Sequence, residues 1–549
     1  MNKLAWPIAL LLLALIFVMI IPSKKISIDL LLLNAKIYSV DQAFSVQEAM
    51  ALKDGKIIVC GKSGNLKKRF DAKHILDVHG ASVYPGFYDA HCHFYGYGLY
   101  SNYAQLEGSK SFDEVLSIVK QYAQNHSEGW IIGRGWDQND WANKAFPDKS
   151  KLDILFPDRP VFLKRIDGHA ALLNQKALDL AGIKDSTFVK GGKIMLKNGR
   201  VSGLLIDNAV DLVQSIIPKE TKQQIENALK RAEQDCLSVG LTSIDDAGLD
   251  INLVQIIDSM QQNGNLMIKI FAMLNPNEES KTFALNHGIY KTGKLTVRCF
   301  KFYADGALGS RGAYLLSPYT DDSANSGLNL LDTNLLKDFM QVALKANYQI
   351  ATHCIGDAAN REVIDMYSRI LPPGNNRRWR IEHAQIVQPE DQKQFAVLKL
   401  IPSVQPTHCT SDMYWAGKRL GEQRIKYAYA YQDLLQRAGL VAAGSDFPVE
   451  NINPLFGFYA AVTRQDQKGF PDGGFQKENA LNREQALRAM TIWAAYSNFE
   501  EKEKGSLEPG KAADFVILDR DIMNCPEEEI FSAKVWMTFI DGIKVYESK

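Results

Sequence analysis

The sequence lacks a surplus of either charge. Lys and Arg number 63, as do Asp and Glu, and this balance leaves no electrostatic footprint for nucleic acid. Cysteines are few, seven at positions 60, 92, 236, 299, 354, 409 and 525. None forms a CxxC pair, and an odd, scattered set in a large chain excludes a disulfide framework. There is no short internal repeat and no long low-complexity run. With 46% hydrophobic and 23% charged residues over 549 positions, the chain is globular rather than disordered and has ample length for a large core.

A long apolar run stands at the N-terminus, from Leu4 to Ile21, closed by Pro22-Ser23-Lys24-Lys25. As a helix it would reach about 27 Å, roughly the hydrocarbon thickness of a bilayer. The run lacks a small-x-small cleavage site and a cysteine for lipid attachment. It is therefore read as an uncleaved membrane anchor with the rest of the chain on the extracytoplasmic side. A cleaved signal, giving a secreted or periplasmic protein, is the rival reading.

Residues 28–83 alternate short apolar runs with turns, and Asp54-Gly55 is a hairpin signal. The C-terminus repeats this texture in DFVILD, KVWMTFIDG and a second Asp-Gly at 541–542. Strands at both chain ends predict one small β domain built from the two termini. Between them, TSIDDA, MIKIFAM, VRCFKFYADG, YQIATHCIG, WRIEHAQ, LIPSVQP and LVAAGSD alternate with helical stretches such as 222–238, 332–346 and 358–370. With the strand that ends at His91 there are eight. Eight parallel strands make a closed barrel, which carries its chemistry at the strands' C-terminal ends.

The expected class is thus α/β: a (β/α)8 TIM-like barrel, a small β-sandwich domain from both chain ends, and an N-terminal transmembrane or signal helix. The expected bounds are 1–25 for the anchor or signal, 26–84 and 501–549 for the two parts of the β-sandwich, and 85–500 for the barrel. The stretch between His93 and Lys301 is too long for three βα units. An inserted subdomain at about 107–215 accounts for the excess.

The residues that bear chemistry fall where such a barrel needs them. In YDAHCHF, His91 and His93 are two apart and so face the same side of a strand, as one metal ion requires. Lys301 lies on strand four, His353 ends strand five, His383 ends strand six and Asp446 ends strand eight. His353 and His383 are 30 positions apart, one βα unit. Cys92, between the histidines, points the other way and reads as packing. His408 in QPTHCTSD reads as a residue that orients substrate or a ligand, or as a surface histidine. His169 in DGHAALLN could reach over the pocket or serve a structural hydrogen bond. Trp136 and Trp141 could line the pocket or build the insertion's own core. Gly444 and Ser445 are expected to set the turn that exposes Asp446.

The ordered set YPGFYDAHCHF, GRGWDQ, DGHAALLN, KFYADGALGSRGA, THCIGDAAN, RIEHAQ, QPTHCTSD, GSDFPVENINPLFG and GSLEPGKAADFVILD resembles the amidohydrolase superfamily. Within it, the likeness is to the YtcJ-like metal-dependent hydrolases, the group that includes N-substituted formamide deformylase. It covers nearly everything after residue 28. The resemblance implies two divalent ions, zinc being the expected metal. His91, His93 and Asp446 would hold the first, His353 and His383 the second, and a carboxylated Lys301 would bridge them.

It further implies hydrolysis of a non-peptide C–N bond in a small molecule, an amide, formamide or cyclic amide. Water acidified by metal would attack the carbonyl, with Asp446 carrying its proton to the leaving amine. A homodimer is implied as well. A different bond or an isomerisation on the same centre is a second reading, and a non-catalytic membrane-tethered metal-binding protein a third. One departure stands out: relatives often carry a glutamate where this chain has Ile206 to Ala209, and Asp207 is one carbon shorter. Specificity carried over through that position is open.

Overall fold

The computed structural model describes residues 25–100 and 102–548. The apolar run expected to be an anchor or signal lies outside them. Among the described residues no helix is long and apolar enough to cross a membrane.

Both Asp-Gly pairs turn the chain as their chemistry dictates. Asp54 and Gly55 take φ of 51° and 75°, and Asp541 and Gly542 take 49° and 71°. These left-handed pairs are what a two-residue hairpin between right-twisted strands requires. The first joins Ala49–Lys53 to Lys56–Gly61, the second Val535–Ile540 to Ile543–Glu547. Two sheets result. One has the order 56–61, 49–53, 26–33, 70–77; the other runs 543–547, 535–540, 515–518, 82–85, 36–38, 46–47 and so interleaves both chain ends. Leu32, Met50 and Ile57 of the first share a core with Ile37, Phe515 and Phe539 of the second.

The middle of the chain forms the barrel. Its strands are β1 (Phe87–Cys92), β2 (Leu241–Leu249), β3 (Lys269–Leu274), β4 (Leu295–Tyr303), β5 (Gln349–His353), β6 (Arg380–Glu382), β7 (Ile401–Val404) and β8 (Ala442–Ala443). Each pairs in parallel with the next in sequence, from β1 to β8. Strands such as β3 and β5 are buried along their whole length, as parallel strands wrapped by helices must be. The helix Lys222–Ser238 illustrates the cover. Thr221 and Gln224 form a capping box, and Ile225, Ala228, Leu229, Ala232 and Cys236 make its buried stripe.

The seam between β8 and β1 is closed just beyond the short last strand. Asp446 N–H donates to His91 O at 2.7 Å, and His93 N–H donates to Phe447 O at 2.8 Å. Gly444 permits this approach, since a Cβ there would stand 2.4 Å from His91 N. The seam therefore sets Asp446 beside the two histidines.

Between β1 and β2 lies a third sheet, ordered 192–197, 200–207, 170–173, 161–165, 131–136, 104–105. Trp136 and Trp141 sit in its core with Leu106, Val119 and Leu163. The Trp136 indole N–H donates to Leu163 O at 2.8 Å. Trp136 is therefore not a pocket residue as one expectation had it: its ring fills the insertion's core and its only donor is spent on backbone.

Candidate metal centre

The C-terminal ends of the barrel strands bring the candidate ligands to one mouth. His91 lies at the end of β1 and His93 directly follows it. His353 ends β5, His383 follows β6, His408 lies on the helix Pro406–Asp412 directly after β7, and Asp446 follows β8. Asp446 is the hub. Its Oδ1 lies 3.3 Å from His93 Nε2 and 3.6 Å from His91 Nε2, and its Oδ2 lies 3.4 Å from His408 Nε2. Two donor groups are thereby assembled, His91–His93–Asp446 and His383–His408–Asp446, each with its ligating atoms within 4.8 Å of one another.

His353 and Lys301 stand outside these two groups but adjoin them. The His353 ring is centred 4.6 Å from that of His383. Lys301 Nζ is 3.3 Å from His91 Nε2 and 4.4 Å from the centre of the Tyr303 ring. Lys301 is fully buried, and no carboxylate among the described residues pairs with it.

The state of these groups suits a cation. Burial, aided by the Lys301 charge, drives the His91 pKa down to about 4. Burial likewise holds His353 and His383 well below the usual imidazole range. For Asp446 burial acts upward, but the neighbouring His408 and His93 outweigh it and keep the carboxyl well below its ordinary value. Neutral imidazoles and an ionised carboxylate are the forms that ligate. Among the described residues, buried His353 Nε2, His383 Nδ1 and Asp446 Oδ1 have no hydrogen-bond partner. Each such atom costs about 1–3 kcal/mol if left unsatisfied. Three of them around one mouth fit a metal site.

His383 and Asp446 also take left-handed backbone, at φ 69° and 62°. Such conformations are costly for ordinary residues and gather at functional sites. His408 is buried, not a surface residue. Its Nδ1 is 3.1 Å from Glu450 Oε1. Burial opposes its charge, yet Asp446 and Glu450 together raise its pKa to about 10.

His169 and Asp207 form a pair from the insertion. His169 Nδ1 is 2.8 Å from Asp207 Oδ1, and its ring is centred 5.2 Å from that of His353. Asp207 is left-handed at φ 51°, and its carboxylate occupies the space that Cβ atoms on Gly306 and Gly312 would need. Cys92 is buried with its Sγ on the Asp245 carbonyl, away from the mouth.

Sequence reasoning missed what lies beneath the ligands. Glu382 Oε2 is 2.5 Å from His91 Nδ1. Arg380 donates to Glu382 Oε1 and to Asp245 Oδ2, each at 2.6 Å. Asp305 accepts from the backbone of Ile355, Gly356 and Tyr314, and burial lifts its pKa to about 7. One signal was available: the alternation Arg380-x-Glu382 puts two charges on the inward face of a strand that the barrel buries. Glu382 fixes the ring and tautomer of His91, and such partners are worth about 10–100-fold in metal affinity. Glu382→Gln is accordingly expected to weaken metal binding by about that factor, read by competition with a chromophoric chelator. Unchanged affinity would remove Glu382 from this role.

A family model described as "Amidohydrolase family" matches residues 74–546. The chain is 34% identical to Protein LONG AFTER FAR-RED 3 of Arabidopsis thaliana, covering 96% of this chain and 93% of that protein. It is 31% identical to the putative amidohydrolase YtcJ of Bacillus subtilis (93% and 98% covered) and 26% identical to N-substituted formamide deformylase of Arthrobacter pascens (94% and 98%). Among solved structures, a metal-dependent hydrolase of Pyrococcus horikoshii superposes with a TM-score of 0.75 at 29% identity, covering 91% of this chain and 99% of that one.

Proposed function

This chain belongs to the amidohydrolase family, and on that premise we propose that it hydrolyses a non-peptide C–N bond in a small amide, formamide or cyclic amide. The observation that carries the reading is the cluster of buried atoms on His353, His383 and Asp446 at the barrel mouth that lack a hydrogen bond among the described residues. The formamide deformylase likeness supports the choice of bond.

His91, His93 and Asp446 would hold one divalent ion and His353 and His383 a second, with zinc the expected metal. Carboxylated by carbon dioxide, Lys301 would offer its oxygens to these ions. A buried, unpaired ammonium is expensive, whereas a carbamate removes the positive charge and presents two oxygens. Ions held by such donors supply Lewis acidity, which polarises a carbonyl and acidifies water. Asp446 takes the proton of the attacking water and returns it to the leaving nitrogen, giving a carboxylate and an amine. His408, held between Glu450 and Asp446, keeps Asp446 aimed at the mouth. The inserted sheet and the segments after β7 and β8 shape the substrate pocket.

Metal analysis of the purified protein beside a panel of N-formyl, N-acyl and cyclic amides tests this. Close to two ions per chain are expected, with turnover in at least one class. Turnover should vanish on chelation and return with zinc. A protein that binds no metal, or that hydrolyses these amides equally well after stripping, would refute the reading.

A further inference from the structure

Two cations of the inserted sheet stand side by side, and among the described residues neither is ion-paired. Arg134, on the strand Ile131–Trp136, is the direct cross-strand neighbour of Lys164, on Val161–Arg165. Like charges in register repel. Arg134 is only 8% exposed. Its Nη2 donates to Ile166 O at 2.7 Å, and its guanidinium lies over the Tyr100 ring at 4.4 Å. Lys164 Nζ reaches Gln214 Oε1 at 3.3 Å. Neither makes an ion pair among the described residues. The adjacent Arg165, by contrast, takes both Asp137 and Asp167. Glu107 is close enough to feel Arg134, and Asp211 and Asp167 are close enough to feel Lys164, but none of them pairs with either cation. Burial, and then Arg134, pull the Lys164 pKa down to about 8.

Their position gives this imbalance a use. A Cβ on Gly168 would stand 3.7 Å from Lys164 Cε and 3.8 Å from Arg134 Nη1. Both cationic side chains therefore end beside Gly168, whose φ of +77° suits glycine. The next residue is His169, whose ring faces His353 of the metal centre at 5.2 Å. On the other side, Tyr100 under Arg134 has its phenol raised by burial to about 12, with Arg134 opposing and Asp446 adding to the shift. The pair thus adjoins the mouth from the insertion side.

We propose that Arg134 and Lys164 form a carboxylate-binding subsite, so that the substrate is an amide bearing an anionic carboxylate on the side away from the scissile bond. The guanidinium offers a planar fork and the ammonium a point charge, the two donor forms that charge-assisted carboxylate recognition uses. A bound carboxylate relieves the repulsion between them, and selectivity for it comes from the repulsion that remains without it. This deepens the hydrolase reading and rests on it for the placing of the scissile bond. The subsite itself can be tested by binding alone.

The probes are the N-acetyl derivatives of glycine, β-alanine and γ-aminobutyrate, each beside its uncharged carboxamide, titrated calorimetrically into the metal-loaded full chain. At least one carboxylate is expected to bind about 10- to 100-fold more tightly than its carboxamide. Lys164→Gln and Arg134→Gln should each remove most of that preference and leave carboxamide binding within about threefold. Arg134→Lys, which keeps the charge, should retain part of it and guards against a folding defect in Arg134→Gln. If no pair shows a charge preference, or if the variants weaken acid and carboxamide alike, the subsite is overturned. A variant-sensitive preference without turnover of any amide would refute the hydrolase reading while the subsite stands.

Discussion

Asp446→Asn is expected to lower turnover of any accepted amide by about 10²- to 10⁴-fold, the range in which a positioned acid–base group contributes, with metal content little changed. The substitution separates two duties of one side chain. An asparagine carbonyl can still face the imidazoles that surround Asp446, His93 at 3.3 Å and His408 at 3.4 Å, but it cannot accept a proton from water. The backbone does not confound the experiment. Asp446 sits at φ 62°, and asparagine tolerates that region better than other side chains do. The checks are steady-state rates and metal analysis on one preparation. Full activity would sink the proton-carrying role. Metal loss in proportion to activity would instead make Asp446 chiefly a ligand.

What could be read from the sequence follows from the range over which each feature is determined. The Asp54-Gly55 and Asp541-Gly542 turns are local chemistry, legible without any fold. The eight barrel strands are legible because parallel strands buried on both faces read as short apolar runs, and because the helices between them carry a different period. His91 and His93 were visible as a pair, since a two-residue spacing on a strand is itself a statement about direction.

What joins them to Asp446 was not visible. It depends on a seam in which Gly444 lets two backbones approach. Glu382 illustrates the harder case: it is adjacent to His383 in sequence, yet its partner is His91, far away along the chain. Arg134 and Lys164 fall in two separate stretches and become neighbours only through sheet register. Trp136 had two readings, pocket or insertion core, and only the packing of the inserted sheet decides for the core.

Arg380→Met should be the most damaging single change to stability, at about 3–5 kcal/mol, the cost of stripping one partner from a buried ionic cluster. Arg380 bonds Glu382 and its neighbours Asp245, Asn498 and Ser403, along with the Ala90 carbonyl. It thereby ties β1, β2, β6 and β7 together directly beneath the metal centre. The two carboxylates it serves differ. Burial keeps Asp245 at about 7 even beside the cation. For Glu382 burial also acts upward, but Arg380 and then His91 outweigh it and hold the carboxyl well below the ordinary range. A depressed folded pKa contributes stability that is present above the unfolded value of about 4.3 and fades as pH falls through the folded value.

Without Arg380 the sign reverses. Glu382 becomes a buried carboxyl with a raised pKa, which folds readily when protonated and loses stability as pH rises. The gap in unfolding temperature between wild type and variant should therefore be present already at pH 5, where wild-type Glu382 is still ionised, and widen towards pH 8, as followed by far-UV circular dichroism. A gap independent of pH would mean that Arg380 acts through packing rather than charge. Arg380→Lys should not restore the wild type, because one ammonium cannot reach Glu382, Asp245 and the Ala90 carbonyl together as the planar fork does. Metal affinity should fall in both variants, since Glu382 can orient His91 only while something else holds Glu382.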